Sequence, residues 1–146
     1  MNTTDSPTIQ KFHLDGIKHI APENAFSLIS NDETFFIDVR EEIEFKQYFF
    51  DFTNVFFHPM SVITDRLQYI PKNVSLVIVC EEGTRSAKVV NLLNRQGFEN
   101  VANLDGGIQS WIDKGLPGII VNDVLNSNED SCQPSSCGCS CSGCGE

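Results

Sequence analysis

The stretch Ser75-Leu76-Val77-Ile78-Val79-Cys80-Glu81-Glu82-Gly83-Thr84-Arg85-Ser86 decides how this chain folds. Leu76 to Cys80 is unbroken apolar sequence with no alternation, which is how a strand covered on both faces reads. Glu81-Glu82-Gly83 breaks it. Thr84 to Gln96 then has helical spacing, with Ala87, Val90 and Leu93 on one face and Gly97 as the C-terminal stop. A buried strand feeding directly into a helix is half of a β-α-β unit, and the same grammar recurs on either side of it.

On the N-terminal side, Thr34-Phe35-Phe36-Ile37-Asp38-Val39-Arg40 is a second apolar, non-alternating strand, followed by a short acidic helix from Glu41 to Phe45. Asn54 to Pro59 reads as a further strand stopped by Pro59, and Ser61 to Tyr69 as a helix closed by Pro71. Gly16 to Ile20 is a short first strand. Pro22 and Glu23 then mark a helix entrance, with Ala25, Phe26 and Ile29 as its apolar face. On the C-terminal side, Phe98 to Leu104 gives a turn and a last strand. Gly106-Gly107 opens a short helix through Trp111, which reads as a core residue. Alternating strands and helices imply right-handed β-α-β units and a parallel sheet with helices on both faces. Sites in such sheets lie at the C-terminal ends of strands, where Cys80 falls.

A length of 146 residues with 40% apolar and 21% charged composition fits one globular domain with an ordinary core. The net charge of −10 disfavours non-specific binding to nucleic acid or anionic membrane. No apolar run approaches the roughly 20 residues of a membrane span. Met1 to Pro7 lacks the basic start and apolar run of a signal peptide, so the expected location is cytoplasmic. The expected organisation is a loose leader (1–12), a domain (13–118) and a C-terminal extension with a flexible tail (119–146).

The loop after Cys80 points backbone N–H groups inward and makes an anion cradle, with the backbone of Glu82 to Ser86 supplying the donors. A thiol at its base feels the positive helix end and ionises more easily. Gly83 lets the loop curl, and Arg85 brings a fixed charge to its rim. Glu81 and Glu82 act in the opposite sense, opposing a thiolate and repelling an anionic ligand. The bland alternative is a strand-end cysteine acting as a small hydrophobe.

Cys80-Glu81-Glu82-Gly83-Thr84-Arg85-Ser86 resembles the Cys-x-x-Gly-x-Arg-Ser active-site loop of rhodanese domains. Phe36-Ile37-Asp38-Val39-Arg40-Glu41 resembles that family's Asp-Val-Arg strand end. Gly97-Phe98-Glu99-Asn100-Val101 with Leu104-Asp105-Gly106-Gly107-Ile108-Gln109-Ser110-Trp111 resembles its closing segment. The ordered set spans about residues 16 to 118. The resemblance implies an α/β fold with a five-stranded parallel sheet flanked by helices, and persulfide chemistry without an organic cofactor. Cys80 would take a sulfane sulfur from a small sulfur-containing anion such as thiosulfate, or from a protein persulfide. Glu81, Glu82, Gly83, Thr84 and Ser86 would surround the sulfur, and Arg85 would bind an anionic donor. A thiol or cyanide would accept the sulfur, and Asp38 and Arg40 would support the site.

The chain departs from the family pattern at Tyr48 to Asn54, where a Gly-His-Ile-Pro-Gly-Ala-like stretch is expected. Eight of the eleven phenylalanines lie between Phe35 and Phe57, most simply as core around a rebuilt turn. A cysteine phosphatase or arsenate reductase would place five residues between Cys and Arg; here four separate Cys80 from Arg85. A non-catalytic binding module of the same fold is the other alternative, though such modules are expected to lose the cysteine. Cys132, Cys137, Cys139, Cys141 and Cys144 crowd the C-terminus with spacing suited to Zn or Cu(I). They read as an inert tail, a metal-binding or sensing tail, or a sulfur relay from Cys80. His13, His19 and His58 read as structural or solvated.

Overall fold

The computed structural model describes residues 3–121. Its elements are β1 (His19–Ile20), α1 (Pro22–Phe26), β2 (Thr34–Asp38), α2 (Glu42–Gln47), β3 (Tyr48–Phe50), β4 (Val55–Phe57), a 3₁₀ segment (Ile63–Tyr69), β5 (Ser75–Val79), α3 (Thr84–Arg95), β6 (Val101–Leu104), α4 (Gly107–Asp113) and β7 (Ile119–Val121). Five strands form one sheet in the order β1-β6-β5-β2-β4, with every neighbouring pair parallel. β5, the most apolar run in the sequence, is therefore the central strand. No helix among the described residues is long and apolar enough to cross a membrane.

The chain groups into two compact units. The first, residues 3–42 with 50–119 among those described, contains the five-stranded sheet. The second takes 43–49 with 120–121 among those described; within it the rings of Phe45 and Phe49 stack 5.2 Å apart.

Successive residues of a strand point to opposite faces, and each face of this sheet is covered. On one face Ile37, Val39, Leu76, Ile78, Cys80 and Val101 pack with Ala87, Val90 and Leu93, the α3 stripe read from the sequence. On the other, Phe36 meets Phe50 at 6.3 Å, and Phe50 meets the fully buried Trp111 edge-on at 4.9 Å. Phe26 of α1 and Phe52 also approach Trp111 edge-on. The phenylalanine-rich stretch thus builds an aromatic cluster on one face of the sheet.

Three segments differ from expectation. Ser61 to Tyr69, read as helical, is a helix of the tighter 3₁₀ type, over Ile63–Tyr69. Consecutive β-branched Val62, Ile63 and Thr64 disfavour an α-helix there, and Pro71 leaves no room for one to extend. Tyr48–Phe50 is a strand that pairs with β7 in a separate two-stranded sheet. Three residues are too few to show a period in sequence. Residues 3–12, expected to be a loose leader, carry specific hydrogen bonds. Thr4 pairs with His19 through two backbone bonds of 2.8 Å, and the buried Asp105 carboxylate accepts the N–H groups of Thr8, Ile9 and Gln10.

Candidate active site

Cys80 directly follows the central strand and is 1% exposed. The loop that follows needs a left-handed residue to turn into α3, and Gly83 supplies it with φ +95°. The turn brings backbone donors onto the sulfur. The N–H of Gly83 lies 3.0 Å from Cys80 Sγ and that of Ser86 3.3 Å, with Ser86 Oγ at 3.2 Å. Backbone amides at the start of a twelve-residue helix make a preformed site for negative charge on sulfur. Gly83 and Ser86 thus both lie against the sulfur. Thr84 and Arg85 are half-buried at the first turn of α3, and Glu82 is exposed at the loop rim.

The strand-end pair on β2 is fully buried, which excludes a solvated charge pair. Asp38 and Arg40 are each 0% exposed. The Arg40 guanidinium forks onto the Asp38 carboxylate, with Nη2 to Oδ2 at 2.9 Å and Nε to Oδ1 at 3.1 Å. The Arg40 backbone N–H donates to the same carboxylate at 3.0 Å. Arg40 Nη1 also approaches Glu81 Oε1 at 3.8 Å. One of the two carboxylates that oppose a thiolate is therefore partly offset by a buried cation, and Glu82 is left to solvent screening.

A second device holds the loop from below. α4 begins against it, with Ile108 N–H donating to Cys80 O (2.9 Å) and Gln109 N–H to Glu81 O (3.0 Å). A Cβ at Gly107 would stand 2.6 Å from Cys80 O and 2.5 Å from Glu81 O, so only glycine allows this approach. The adjacent glycines at a helix start were a visible signal; the carbonyls they meet were not.

Behind Ser86, the polar residues Asn103, Gln10 and His19 were not expected as part of the site. Ser86 Oγ donates to Asn103 Oδ1. Asn103 Nδ2 donates to Gln10 Oε1 at 2.9 Å and lies 3.0 Å from His19 Nδ1. His19 Nε2 stands 3.0 Å from His13 Nδ1. Burial, and then the nearby His13, push the His19 pKa down, while Asp105 pulls weakly the other way. His58 lies just beyond β4, and burial followed by Arg66 lowers its pKa as well. The tail cysteines Cys132, Cys137, Cys139, Cys141 and Cys144 lie outside the described residues.

The chain resembles known proteins in sequence and in fold. Residues 21–114 match the family model described as rhodanese-like domain. A sulfurtransferase from Allochromatium vinosum is 34% identical over 90 residues, covering 62% of this chain and 82% of that protein. The thiosulfate sulfurtransferase GlpE of Glaesserella parasuis is 28% identical over 102 residues, covering 67% and 89%. Among solved structures, a rhodanese-like domain protein from Staphylococcus aureus superposes with TM-score 0.61 at 30% identity, covering 70% of this chain and 96% of that one. Sheet, loop and sequence agree, and the chain belongs to the rhodanese-like domain family.

Proposed function

We propose that the protein is a sulfurtransferase that carries a sulfane sulfur as a persulfide on Cys80. The observation that supports this most directly is the sulfur at the end of the central strand, facing the N–H groups of Gly83 and Ser86 at 3.0 and 3.3 Å. The Cys80 thiolate attacks the outer sulfur of a donor such as thiosulfate or a protein persulfide. The new S–S bond forms as the donor's bond breaks, and sulfite or the donor thiolate leaves with the electron pair. The negative charge then rests on the outer sulfur, where preorganised amides stabilise it without reorganising. A thiol or cyanide attacks that sulfur and returns Cys80 to the thiolate. Arg85 guides an anionic donor to the loop rim, and Asp38 with Arg40 fixes the adjoining strand end. The cysteine carries the sulfur itself, so the reaction calls on no organic cofactor.

The exposed Glu82 repels a small dianion more than a persulfide displayed by a protein, and so favours the latter as donor. Intact-protein mass spectrometry after incubation with thiosulfate, and separately with a protein persulfide, tests the reading. Wild type gains one sulfur atom that cyanide removes, and Cys80→Ser does not gain it. No adduct from either donor, or an equal adduct on Cys80→Ser, overturns it.

A further inference from the structure

Behind Cys80, every hydrogen bond in a chain of side chains has its direction fixed from the far end. Gln10 Nε2 donates to the carbonyls of Phe12 (2.8 Å) and Gly83 (3.2 Å), and Gln10 Oε1 accepts the N–H of Gly106 at 2.8 Å. Three backbone groups thus decide which end of the Gln10 amide faces Asn103: it is the oxygen. The Asn103 NH₂ must turn toward that oxygen, which leaves Asn103 Oδ1 facing Ser86. Asn103 Oδ1 can only accept, so the proton between the two oxygens is that of Ser86. A hydroxyl has one proton, and Ser86 Oγ therefore presents a lone pair to Cys80 Sγ, 3.2 Å away.

We propose that Gln10 and Asn103 are positioning residues that hold the Ser86 hydroxyl as an acceptor toward Cys80 Sγ, so that it opposes charge on Sγ itself. The inference rests on the persulfide reading for its purpose. A free thiolate places the charge on Sγ, against that lone pair. A persulfide places it on the outer sulfur and leaves Sγ uncharged. The chain of polar side chains thus weights the site toward its loaded form, while the N–H groups of Gly83 and Ser86 continue to serve negative sulfur. His19 reinforces the lock. Asn103 Nδ2 can only donate, so His19 accepts at Nδ1 and donates to His13 from Nε2, and burial, which lowers the His19 pKa, favours that neutral ring. Ser86, Asn103 and His19 are all 0% exposed, so water does not compete for these bonds.

The test reads the thiol without any sulfur donor. Alkylation of Cys80 by iodoacetamide is followed against pH on the Cys80-containing peptide, since five more cysteines occur in the chain. The charged and titratable groups around the site are Glu81 and Glu82 on the loop, Arg85 in the first turn of α3, Asp38 and Arg40 at the end of β2, His13 and His19, and Asp105 after β6. They are the same in every variant compared. Asn103→Leu removes the acceptor and frees the Ser86 proton to turn to sulfur. The profile moves to lower pH, and at pH values where the thiol is mostly protonated the rate rises about three- to tenfold. In a Ser86→Ala background the same substitution changes the rate less than about twofold, because there is no hydroxyl to redirect. An unmoved profile in Asn103→Leu, or an equal shift in the Ser86→Ala background, overturns the proposal. If Asn103→Leu does not fold, Gln10→Met reads the same lock from the N-terminal segment. It shifts the profile in the same direction by a smaller factor, and no shift overturns the proposal. Because iodoacetamide bypasses sulfur transfer, a coupled profile without persulfide formation would refute the transferase reading alone. Persulfide formation with an uncoupled profile would refute only the positioning role.

Discussion

Two strand ends lie side by side at the top of the sheet and use the same backbone chemistry in opposite ways. β2 and β5 run in register, Asp38 beside Val79. At the end of β2, the amide of Arg40 is taken by the chain's own carboxylate, and the guanidinium closes over the same group. At the end of β5, the amides of Gly83 and Ser86 meet a sulfur. The first end is a buried ion pair whose backbone amide is committed to a carboxylate. The second keeps its donors trained on the one atom there able to change its charge and bonding. On the proposed function, reactivity goes to the strand end whose N–H groups are not committed to a carboxylate, beside a neighbour closed by a buried ion pair.

The sharpest way to break this contrast is to open the closed end. Asp38→Ala leaves the Arg40 guanidinium buried without its fork partner. It is expected to destabilise the fold by about 3–5 kcal/mol, a large share of a domain's stability, and urea unfolding measures it. Gly83→Ala attacks the open end instead. At φ +95° an alanine is strained, and its Cβ collides with Gln10 Oε1. The stability loss is about 1–2 kcal/mol, while sulfur loading slows roughly ten- to hundredfold, because the amide no longer points at the sulfur. If Gly83→Ala cost only stability and loading were unchanged, the contrast between the two ends would be a matter of packing alone.

The smallest effect concerns the histidines behind and beside these ends. His19 and His58 have folded-state pKa values below the ordinary 6.5. Above that value both are neutral folded or unfolded, and they add no pH dependence. As pH falls below it, the unfolded chain takes up protons that the folded one resists, so stability is lost toward acid. Thermal melts from pH 7 to 5.5 should show Tm falling by a few degrees. The slope should be shallower in a His19→Gln, His58→Gln double variant, and an equal slope would remove both histidines from the account.

The parts of this picture that were legible in sequence share one property: they are local. Leu76 to Cys80, Gly83 and the α3 stripe announce strand, turn and helix within about twenty residues, and Asp38-Val39-Arg40 carries its pair within three. What was not legible joins distant segments. Nothing near Asn103 in the chain says that it accepts from Ser86, and nothing near Gln10 says that it lies over Gly83. Single polar residues have no period, and their partners are set by where β6 lies beside β1 and β5. Tyr48–Phe50 was missed for a different reason. Its partner β7 lies some seventy residues further along, and an aromatic triplet serves a core and a strand equally well.

The carboxylate of Asp105 has a consequence for the order of folding. It gathers the N–H groups of Thr8, Ile9 and Gln10, and Thr8 lies 97 residues before it. β1 likewise pairs only with β6 within the sheet. Thr4 finds His19 close by in sequence, but Thr8 to Gln10 reach this carboxylate only once the segment after β6 is in place. Contacts of such long sequence separation close late, after the chain entropy of the intervening loop has been overcome. The side-chain chain behind Cys80 is therefore completed at the end of folding, so a nascent or truncated domain that stops short of β6 can have a formed β5 and α3 and still lack Gln10 in place.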